Sequence, residues 1–482
     1  MADDSEEWPD DDYDDDPAYY YDGYLKKRVE AAVFPWSRLK IIALDKYYLE
    51  LQTRVNCFSR LAGFDKEFAA ILKDGQLDFS DPAAVRQLSK TLFKVDYHLK
   101  LEFPNNRLCP PALSRHNYIM WIKELMDSTT YMMPGAKLLG LDIGTGASCI
   151  YPILGCHQRP WSFIATDIDK QNIKWAQKNI DANSCNKRIS LFLVDKDGPL
   201  IPMDKVTDGT LCFTMTNPPF YKSEEEIKAS AMGKARPPPT ACTGAEVEMI
   251  TEGGEVGFVE RILNESLIIR EEVQWYTAML GYMSSVTAVV EKLRGHGIDN
   301  YAIKEFVQGE KTRRWAVGWS FQAMRPNLSA ARGVKGSLAK NILPALTEAN
   351  IIHLKPSCAN AEFALRFSAA VGGLQWISWS WDEEEMQGVG KTGDRIWSRA
   401  WRRRGQAQRK RKHEQESTGA AEDEPNKEVL HAFGVYIDAL DDEDEVVVRC
   451  RWLEGRDFVA FESFTGYLKA TAERVQAEME AK

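Results

Sequence analysis

Short apolar segments alternate with helical segments from about residue 137 to residue 324, and this alternation limits the possible folds more than any other feature of the chain. The first apolar segments read LLGLDIG, SFIATDID, ISLFLVD and TLCFTMTNPPF, and a helical pattern spans residues 169–183 between the second and the third. Strands that are joined by helices line up in parallel, with the helices covering the sheet. The sequence therefore predicts a doubly wound, mostly parallel α/β sheet.

The later segments complete this sheet. Helical patterns at residues 258–269 and 286–295 flank the strand WYTAML, and the strands IKEFVQ and WAVGWSFQA follow. These additions bring the predicted count to seven strands. The last two strands are separated only by residues 309–313, which is too short for a crossover helix, so we expect an antiparallel hairpin at the sheet edge.

Composition and cysteine spacing exclude several classes of protein. The chain has 482 residues, enough for two or three domains, and 44% of them are hydrophobic, as in soluble proteins. No segment approaches the roughly eighteen apolar residues of a membrane span, and the first residues are acidic where a signal peptide would be basic. Nine cysteines occur without a Cys-x-x-Cys pair. We therefore expect an intracellular protein with neither a membrane anchor nor a metal site.

The charge is distributed unevenly. The net charge is −10, but residues 1–22 alone hold eleven acidic and no basic residues, so the remainder is close to neutral. Residues 1–56 are therefore predicted to be an acidic disordered tail followed by a divergent segment. Residues 395–412 are strongly basic and include Trp397 and Trp401, a pattern that suits phosphate contact or nuclear import. We expect a nuclear protein, with the cytoplasm as a second location; a solvated linker is the alternative reading of the basic run.

Four regions follow from these patterns. Residues 57–130 read as a helical N-terminal module, with helical patterns at 65–72 and 81–92 and a further helix beginning near Asn117. The strand–helix series occupies residues 131–324, interrupted by a long, aperiodic segment at 221–254 that predicts a mobile loop. Residues 325–482 predict a small α/β domain interrupted by a basic linker at 391–426. Within this domain EVVVRCRWLEG and DFVAFESF read as two strands, followed by an amphipathic helix at 464–479.

A glycine turn after the first strand is typical of a nucleotide-like ligand site. Gly144 and Gly146 allow the backbone to approach a ligand closely. Asp167 ends the second strand, where its carboxylate can accept hydrogen bonds from two ribose hydroxyls. Asp142 is placed to hold the loop and a ligand amino group, and Gly198 after the third strand lines the adenine end. The turn lacks the third glycine of the dinucleotide fingerprint, and similar turns occur in nucleotide, flavin and sugar enzymes.

The tetrapeptide Asn217-Pro218-Pro219-Phe220 indicates which reaction this site supports. The N6 amine of adenine is a poor nucleophile because its lone pair is delocalised into the ring. If the Asn217 side-chain oxygen and the Pro218 carbonyl each accept one amine hydrogen, the lone pair is directed at a methyl donor. Phe220 would stack on the base. The alternative is a loop stiffened by prolines, as in any α/β protein.

Arginine and lysine side chains complete the candidate site. Arg115 precedes the Asn117 helix and can form a charge-assisted bond with the donor's carboxylate; the alternative is an ordinary surface arginine. Lys311, Arg313 and Arg314 lie in the edge hairpin and are predicted to contact phosphates. No histidine or carboxylate lies in the tetrapeptide, and a catalytic base is unnecessary because an alkylated amine loses its proton readily.

Several long motifs together resemble the methyltransferase-like protein 16 family of U6 small nuclear RNA adenine-N6 methyltransferases. The motifs are LDIGTGASCIYPILG, TNPPF, RPPP, TEGGEVGFVERI, WYTAMLG and QGEKTRRWAVGWSF, and the likeness covers residues 60–324. Upstream, DFSDPAAVRQLSKTLFKVDYHLKLEFP and LSRHNYIMWIKEL are similar to the helical RNA-binding module that the family shares with a bacterial large-subunit rRNA adenine-N6 methyltransferase. The family's short basic N-terminal arm is replaced here by acidic residues, and the C-terminal block is similar only in its position and its strand–helix pattern.

This resemblance implies a Rossmann-like class I methyltransferase fold with a helical N-terminal module. It implies residue roles as well: catalysis by residues 217–220, RNA contact by Lys311 and Arg314, and S-adenosyl-L-methionine contacts at Arg115, Gly144, Ser148, Asp167, Gly198 and Asn217.

We therefore expect an S-adenosylmethionine-dependent enzyme that methylates a flipped adenosine in a structured RNA, with U6 small nuclear RNA favoured. Two alternatives stay open, a ribosomal RNA adenine-N6 methyltransferase and an RNA-binding regulator with little turnover. Glutamine methylation in proteins is disfavoured, because those enzymes usually carry NPPY and lack the N-terminal module.

Overall fold

The structure is a computed structural model that describes residues 38–53, 58–132, 135–207, 209–227, 244–308, 312–334, 341–354, 361–401, 403–404, 428–439 and 446–481. The predicted acidic tail up to residue 37, residues 228–243 of the predicted loop and residues 405–427 of the predicted linker lie outside these ranges. The chain divides into two units. The first comprises Met1–Lys123, Tyr131–Phe321 and Val334–Ile342, and the second comprises Glu124–Thr130, Gln322–Gly333 and Leu343–Lys482.

Seven strands of the first unit lie side by side in the order β3-β2-β1-β4-β5-β7-β6. The strands are β1 (Leu139–Ile143), β2 (Ser162–Asp167), β3 (Ile189–Leu193), β4 (Leu211–Thr216), β5 (Trp275–Leu280), β6 (Tyr301–Gln308) and β7 (Thr312–Trp319). The first five strands run parallel, whereas β7 is antiparallel to both β5 and β6. The predicted fold class and the antiparallel hairpin of β6 and β7 are confirmed.

Helices cover the sheet and form the N-terminal part of this unit. They are α1 (Arg38–Thr53), α2 (Phe58–Phe64), α3 (Lys66–Ile71), α4 (Pro82–Tyr97), α5 (Ala112–Ser128), α6 (Ile150–Gln158), α7 (Lys170–Ala182), α8 (Glu246–Met249), α9 (Gly254–Ile269) and α10 (Met283–Gly295). Helix α8 and the start of α9 fall inside the predicted loop at 221–254. The parallel bridge between Tyr221 and Ile250 joins the two ends of that segment.

Helix α5 begins at Ala112, five residues earlier than the sequence pattern predicted. Pro110 and Pro111 precede it, and the amide of Arg115 donates to the carbonyl of Pro111 at 3.3 Å, which closes the first turn. Proline is well suited to a helix start because its fixed φ is already helical and the amide it lacks would have no partner there. Arg115 therefore lies in the first turn of the helix and not before it.

Helix α1 packs on the first unit through a buried charge cluster. The Asp45 carboxylate pairs with Nζ of Lys123 at 2.5 Å and with the guanidinium of Arg159 at 2.7 Å, and these two cationic side chains are only 3% and 2% exposed. The buried His116 donates from Nε2 to the Tyr48 carbonyl of the same helix at 2.9 Å. Burial lowers the pKa of His116 to about 3, so its role is structural.

The second unit is built on a five-stranded antiparallel sheet in the order β10-β11-β12-β13-β9. Its elements are α11 (Leu328–Ala331), β8 (Arg332–Gly333), β9 (Glu348–Leu354), α12 (Ala361–Gly372), β10 (Ser378–Asp382), β11 (Gln387–Thr392), β12 (His431–Ala439), β13 (Val446–Gly455) and α13 (Phe458–Glu480). The core of this unit contains Phe433, Trp452 and Phe464.

Two predictions for the second unit are wrong in detail. The segment DFVAFESF is the start of helix α13, whose N-cap Asp457 accepts hydrogen bonds from the amides of Val459 and Ala460. The predicted linker at 391–426 begins too early, because β11 extends to Thr392 and Trp397 is 3% exposed in the core. Arg395 binds Asp457 and thus holds this cap in place. The indole of Trp397 is therefore not available to stack on a nucleic-acid base.

Replacement of Asp45 by alanine would leave Lys123 and Arg159 buried without this carboxylate. Since the loss of one partner from an ion pair with buried cations is unfavourable, we expect Asp45→Ala to lower the free energy of unfolding by about 3 kcal/mol. Urea denaturation of the purified protein measures this change. The exposed neighbour Lys46 supplies the control, because Lys46→Ala should stay near the wild-type midpoint. Equal midpoints for the two variants would contradict the importance of the cluster.

Candidate active site

The candidate site lies where the parallel strands β1, β2, β4 and β5 end. In sheets of this kind ligands bind outside the carboxyl ends of the strands, because the loops there are free to form a crevice. Gly144 and Gly146 follow β1 with φ of +71° and +65°. A side chain at Gly144 would meet no other atom within 4 Å, so open space lies beside the turn. The amide of Thr145 donates to the carbonyl of Thr166 at 2.8 Å and joins the turn to the end of β2.

Asp167, the last residue of β2, is held rigidly beside this turn. Its Oδ2 accepts from the Gly146 amide at 2.8 Å, and its Oδ1 accepts from the Asp169 amide at 2.9 Å. Nδ2 of Asn172 donates to the same carboxylate at 3.3 and 3.4 Å. Burial raises the pKa of Asp167, while the amide donors oppose that rise. The carboxylate is thus fixed at the place where the sequence predicted a ribose contact, a role that stays a prediction.

Asp142 is the most unusual charged residue of the site. It is 1% exposed, and neither carboxylate oxygen has a hydrogen-bond partner among the described residues. Burial raises the pKa of Asp142 to about 7; the nearby Thr145 hydroxyl opposes this rise, and the neighbouring Asp167 adds to it. A buried carboxyl group without partners is unfavourable, so it fits a site that a cationic ligand group completes. The ammonium group of S-adenosylmethionine has this character, and the residues present therefore fit that cofactor.

Arg115 and Asn217 are brought together by the fold, although 102 residues separate them. Nη1 of Arg115 donates to Oδ1 of Asn217 at 2.9 Å and to the Tyr151 hydroxyl at 2.6 Å, and it lies 3.3 Å from Sδ of Met279. The side-chain hydrogen bonds that Arg115 makes within the described residues all come from Nη1. Nε and Nη2 can therefore donate to a further group, and the predicted contact of Arg115 with the carboxylate of a cofactor stays a prediction.

The end of β4 places Asn217 next to the glycine turn. Thr216 donates from Oγ1 to the carbonyl of Ile143 at 2.8 Å, which joins the ends of β4 and β1. Pro218 and Pro219 follow Asn217, and their rings fix φ, so the direction of the Pro218 carbonyl is limited. Phe220 is half-buried at the end of this segment.

Phe220 lies against the end of β5 and under an arginine. A Cβ atom on Gly281 would lie 3.2 Å from the Phe220 ring, so a larger residue there would push the ring aside by a few tenths of an ångström. The buried Glu255 accepts from the Gly281 amide at 2.7 Å and holds that backbone in place. The Arg314 guanidinium lies 5.7 Å from the Phe220 ring centre, within the range of a cation–π contact.

The remaining predicted residues differ in their surroundings. Ser148 is buried just after the glycine turn, and its carbonyl accepts from Nδ2 of Asn179 at 3.4 Å. Gly198 is partly exposed after β3, and its amide donates to the Asp195 carbonyl at 3.1 Å. Arg313 is exposed and pairs with Glu305 at 2.7 Å. Lys311 lies outside the described residues. RNA contact by Arg313 and Arg314 stays a prediction.

Sequence patterns missed Tyr151, Met279 and Glu255. Tyr151 lies in the first turn of α6 directly after the glycine turn, and that proximity was an available signal. Glu255 and Met279 gave no such signal, because their contacts depend on tertiary packing. The described residues contain no group of His, Cys, Asp and Glu side chains arranged to hold a metal ion. Among the described helices, none has the length and apolar character needed to cross a membrane.

Comparisons with known proteins give a consistent result. A family model described as RNA methyltransferase matches residues 63–323. A U6 small nuclear RNA (adenine-(43)-N(6))-methyltransferase of Schizosaccharomyces pombe is 38% identical over 397 residues, which cover 82% of this chain and 95% of that protein. The RNA N(6)-adenosine-methyltransferase METTL16 of Homo sapiens is 38% identical over 253 residues, 51% of this chain and 44% of that protein. The structure of the human Mettl16 catalytic domain in complex with MAT2A 3'UTR hairpin 1 shares 36% identity at a TM-score of 0.51, covering 56% of this chain and 92% of that chain.

The raised pKa of Asp142 predicts that the affinity for S-adenosylmethionine depends on pH. In the free protein this carboxyl group is largely protonated below pH 7, whereas a bound ammonium group favours the ionised form. Affinity for S-adenosylmethionine should therefore rise by up to about tenfold as pH increases from 6 to 7.5, a range in which the α-amino group of the ligand stays mostly charged. Calorimetric titrations across this range measure the effect. The Asp142→Asn variant should bind more weakly and show a flat profile; an unchanged slope in that variant would contradict the assignment.

Proposed function

This chain belongs to the RNA methyltransferase family whose model matches its residues 63–323, and on that basis we propose that it methylates the N6 amine of an adenosine in U6 small nuclear RNA. The likeness to the S. pombe enzyme supports this substrate, because it extends over 82% of this chain and 95% of that protein. S-adenosylmethionine supplies the methyl group when it is bound. We also propose a nuclear location, since the substrate is a small nuclear RNA.

The contact between Arg115 and Asn217 is the observation that carries the chemistry. An arginine guanidinium only donates hydrogen bonds, so the Asn217 atom that faces Arg115 must be the carboxamide oxygen. A carboxamide oxygen has two lone pairs. One accepts from Arg115, and the other remains for a hydrogen of the target amine. Without Arg115 the carboxamide could turn and present its NH2 group, which would repel the amine.

The Pro218 carbonyl supplies the second acceptor. Two accepted hydrogen bonds hold both amine hydrogens, so the nitrogen lone pair points away from the adenine ring toward the donor. Phe220 offers a ring face for a flipped base, and the Arg314 guanidinium, 5.7 Å from the centre of that ring, adds positive charge beside it. The proton that the alkylated amine releases passes to solvent without a dedicated base.

Four residues of this chain would hold the cofactor. Asp142 would face the ammonium group, Asp167 would accept from the ribose hydroxyls, Arg115 would pair with the carboxylate through Nε and Nη2, and the open space beside Gly144 would admit the ligand. The first three residues would each match one functional group of S-adenosylmethionine.

Transfer of labelled methyl groups to U6 RNA tests the proposal. We expect the wild-type protein to form N6-methyladenosine, identified by nucleoside analysis. Asn217→Ala should reduce the rate constant at saturating substrates at least about a hundredfold, because the amine loses an oriented acceptor. Binding of RNA and of S-adenosylmethionine should change by less than about fivefold, since neither ligand depends on this oxygen alone.

The control is Asn264→Ala, which removes an exposed asparagine of α9 and should leave the rate unchanged. Labelling of ribosomal RNA in place of U6 RNA would overturn the proposed substrate. Tight U6 binding without any label would instead favour the RNA-binding regulator.

A further inference from the structure

Arg107 lies in the loop between α4 and α5, and it reaches the cofactor side of the sheet. Its side chain is 9% exposed. Nε of Arg107 donates to Oδ1 of Asn172 at 2.8 Å, and Nη2 donates to the Asp169 carboxylate at 3.3 Å. Asp169 caps the N-terminus of α7, and Asn172 lies in the first turn of the same helix. The loop of the N-terminal module is thus joined to the helix that follows β2.

Asn172 connects Arg107 to Asp167 through hydrogen bonds. Its Oδ1 faces the donor-only guanidinium of Arg107, so its Nδ2 must face the Asp167 carboxylate, to which it donates at 3.3 and 3.4 Å. Rotation of the Asn172 carboxamide by half a turn would place its Oδ1 against the Asp167 carboxylate, and the two groups would repel each other. Arg107 therefore decides whether Asn172 supports or repels the ionised form of Asp167.

The next residue of the loop is anchored independently. Oε2 of Glu248 accepts from the Leu108 amide at 2.9 Å and from the Ala245 amide at 3.0 Å. Oε1 of Glu248 lies 3.8 Å from the position that a Cβ atom on Gly146 would take, so this carboxylate borders the glycine turn. The amide of Tyr221, the residue after Phe220, donates to the carbonyl of Met249 at 3.0 Å. The loop is therefore fixed between the turn and the tetrapeptide.

We propose that Arg107 is a positioning residue for the methyl donor: it sets the orientation of the Asn172 carboxamide, and Asn172 in turn holds Asp167 ready to accept the ribose hydroxyls. Glu248 keeps the Arg107 loop in register with the glycine turn. This inference rests on the proposed cofactor, and it assigns part of the cofactor's affinity to the N-terminal module.

A pair of ligands that differ only in the ribose isolates this role. The first is S-adenosylhomocysteine, and the second is its 2′-deoxy analogue, which lacks one hydroxyl for Asp167. The wild-type protein should bind the first ligand about tenfold to a hundredfold more tightly, as expected for a hydrogen bond to a charged group. In Arg107→Met the ratio of the two dissociation constants should fall to about threefold or less. A loss of general stability would weaken both ligands alike and would leave the ratio unchanged.

Three further measurements complete the test. Arg107→Lys keeps a cation that only donates, and it should restore part of the ratio. Arg86→Met removes another arginine of the N-terminal module, one without a hydrogen bond to α7, and should keep the wild-type ratio. U6 RNA affinity should stay within about threefold of wild type in all variants.

The possible failures are distinguishable. A wild-type protein that binds neither ligand would overturn the proposed cofactor and this inference with it. A wild-type protein that binds both ligands equally would keep the cofactor but remove the ribose contact that the inference needs. Full discrimination retained in Arg107→Met would overturn the role of Arg107 alone.

Discussion

A guanidinium group can donate hydrogen bonds but cannot accept them, and the geometry of the active site depends on this restriction. A carboxamide has two ends of nearly equal size and opposite hydrogen-bonding character, so packing alone does not fix its orientation. In this protein an arginine fixes the orientation of an asparagine carboxamide at two places. Arg115 faces Oδ1 of Asn217 at 2.9 Å, and Arg107 faces Oδ1 of Asn172 at 2.8 Å. One pair orients the acceptor that we propose for the target amine, and the other supports the carboxylate that we propose for the ribose hydroxyls.

Both arginines come from outside the sheet, which gives the N-terminal module a direct part in the chemistry. Arg107 lies in the loop before α5, and Arg115 lies eight positions later, in the first turn of that helix. Asn172 lies beyond the end of β2, and Asn217 lies beyond the end of β4. This arrangement accounts for the extent of the family match, which begins at residue 63, well before the first strand. The module is therefore part of the active site as well as a candidate RNA-binding surface.

Local patterns predicted the parts of this structure that local chemistry determines. The alternation of strands and helices predicted the sheet, and the short connection at 309–313 predicted the hairpin. The helical pattern at 81–92 predicted α4, where Asp81 accepts from the Ala83 amide at 2.8 Å. The start of α13 was missed because Phe458, Phe461 and Phe464 follow helical spacing within a segment whose aromatic content favours a strand. Contacts between residues distant in sequence were not predictable in this way. Arg107 and Asn172 are 65 residues apart, and no motif in the sequence connects them.

The anchoring of α1 has a consequence for the limits of the protein. The family match starts at residue 63, yet the carboxylate that neutralises Lys123 and Arg159 comes from Asp45, in a segment whose sequence is unlike the family pattern. The boundary of the family and the boundary of the folding unit are thus different. A recombinant fragment trimmed to the family match would keep the predicted methyl-transfer residues but lose Asp45 together with the buried Tyr47, Tyr48 and Leu51 of α1. A loss of activity on N-terminal truncation would then reflect lost folding stability as well as lost catalytic groups.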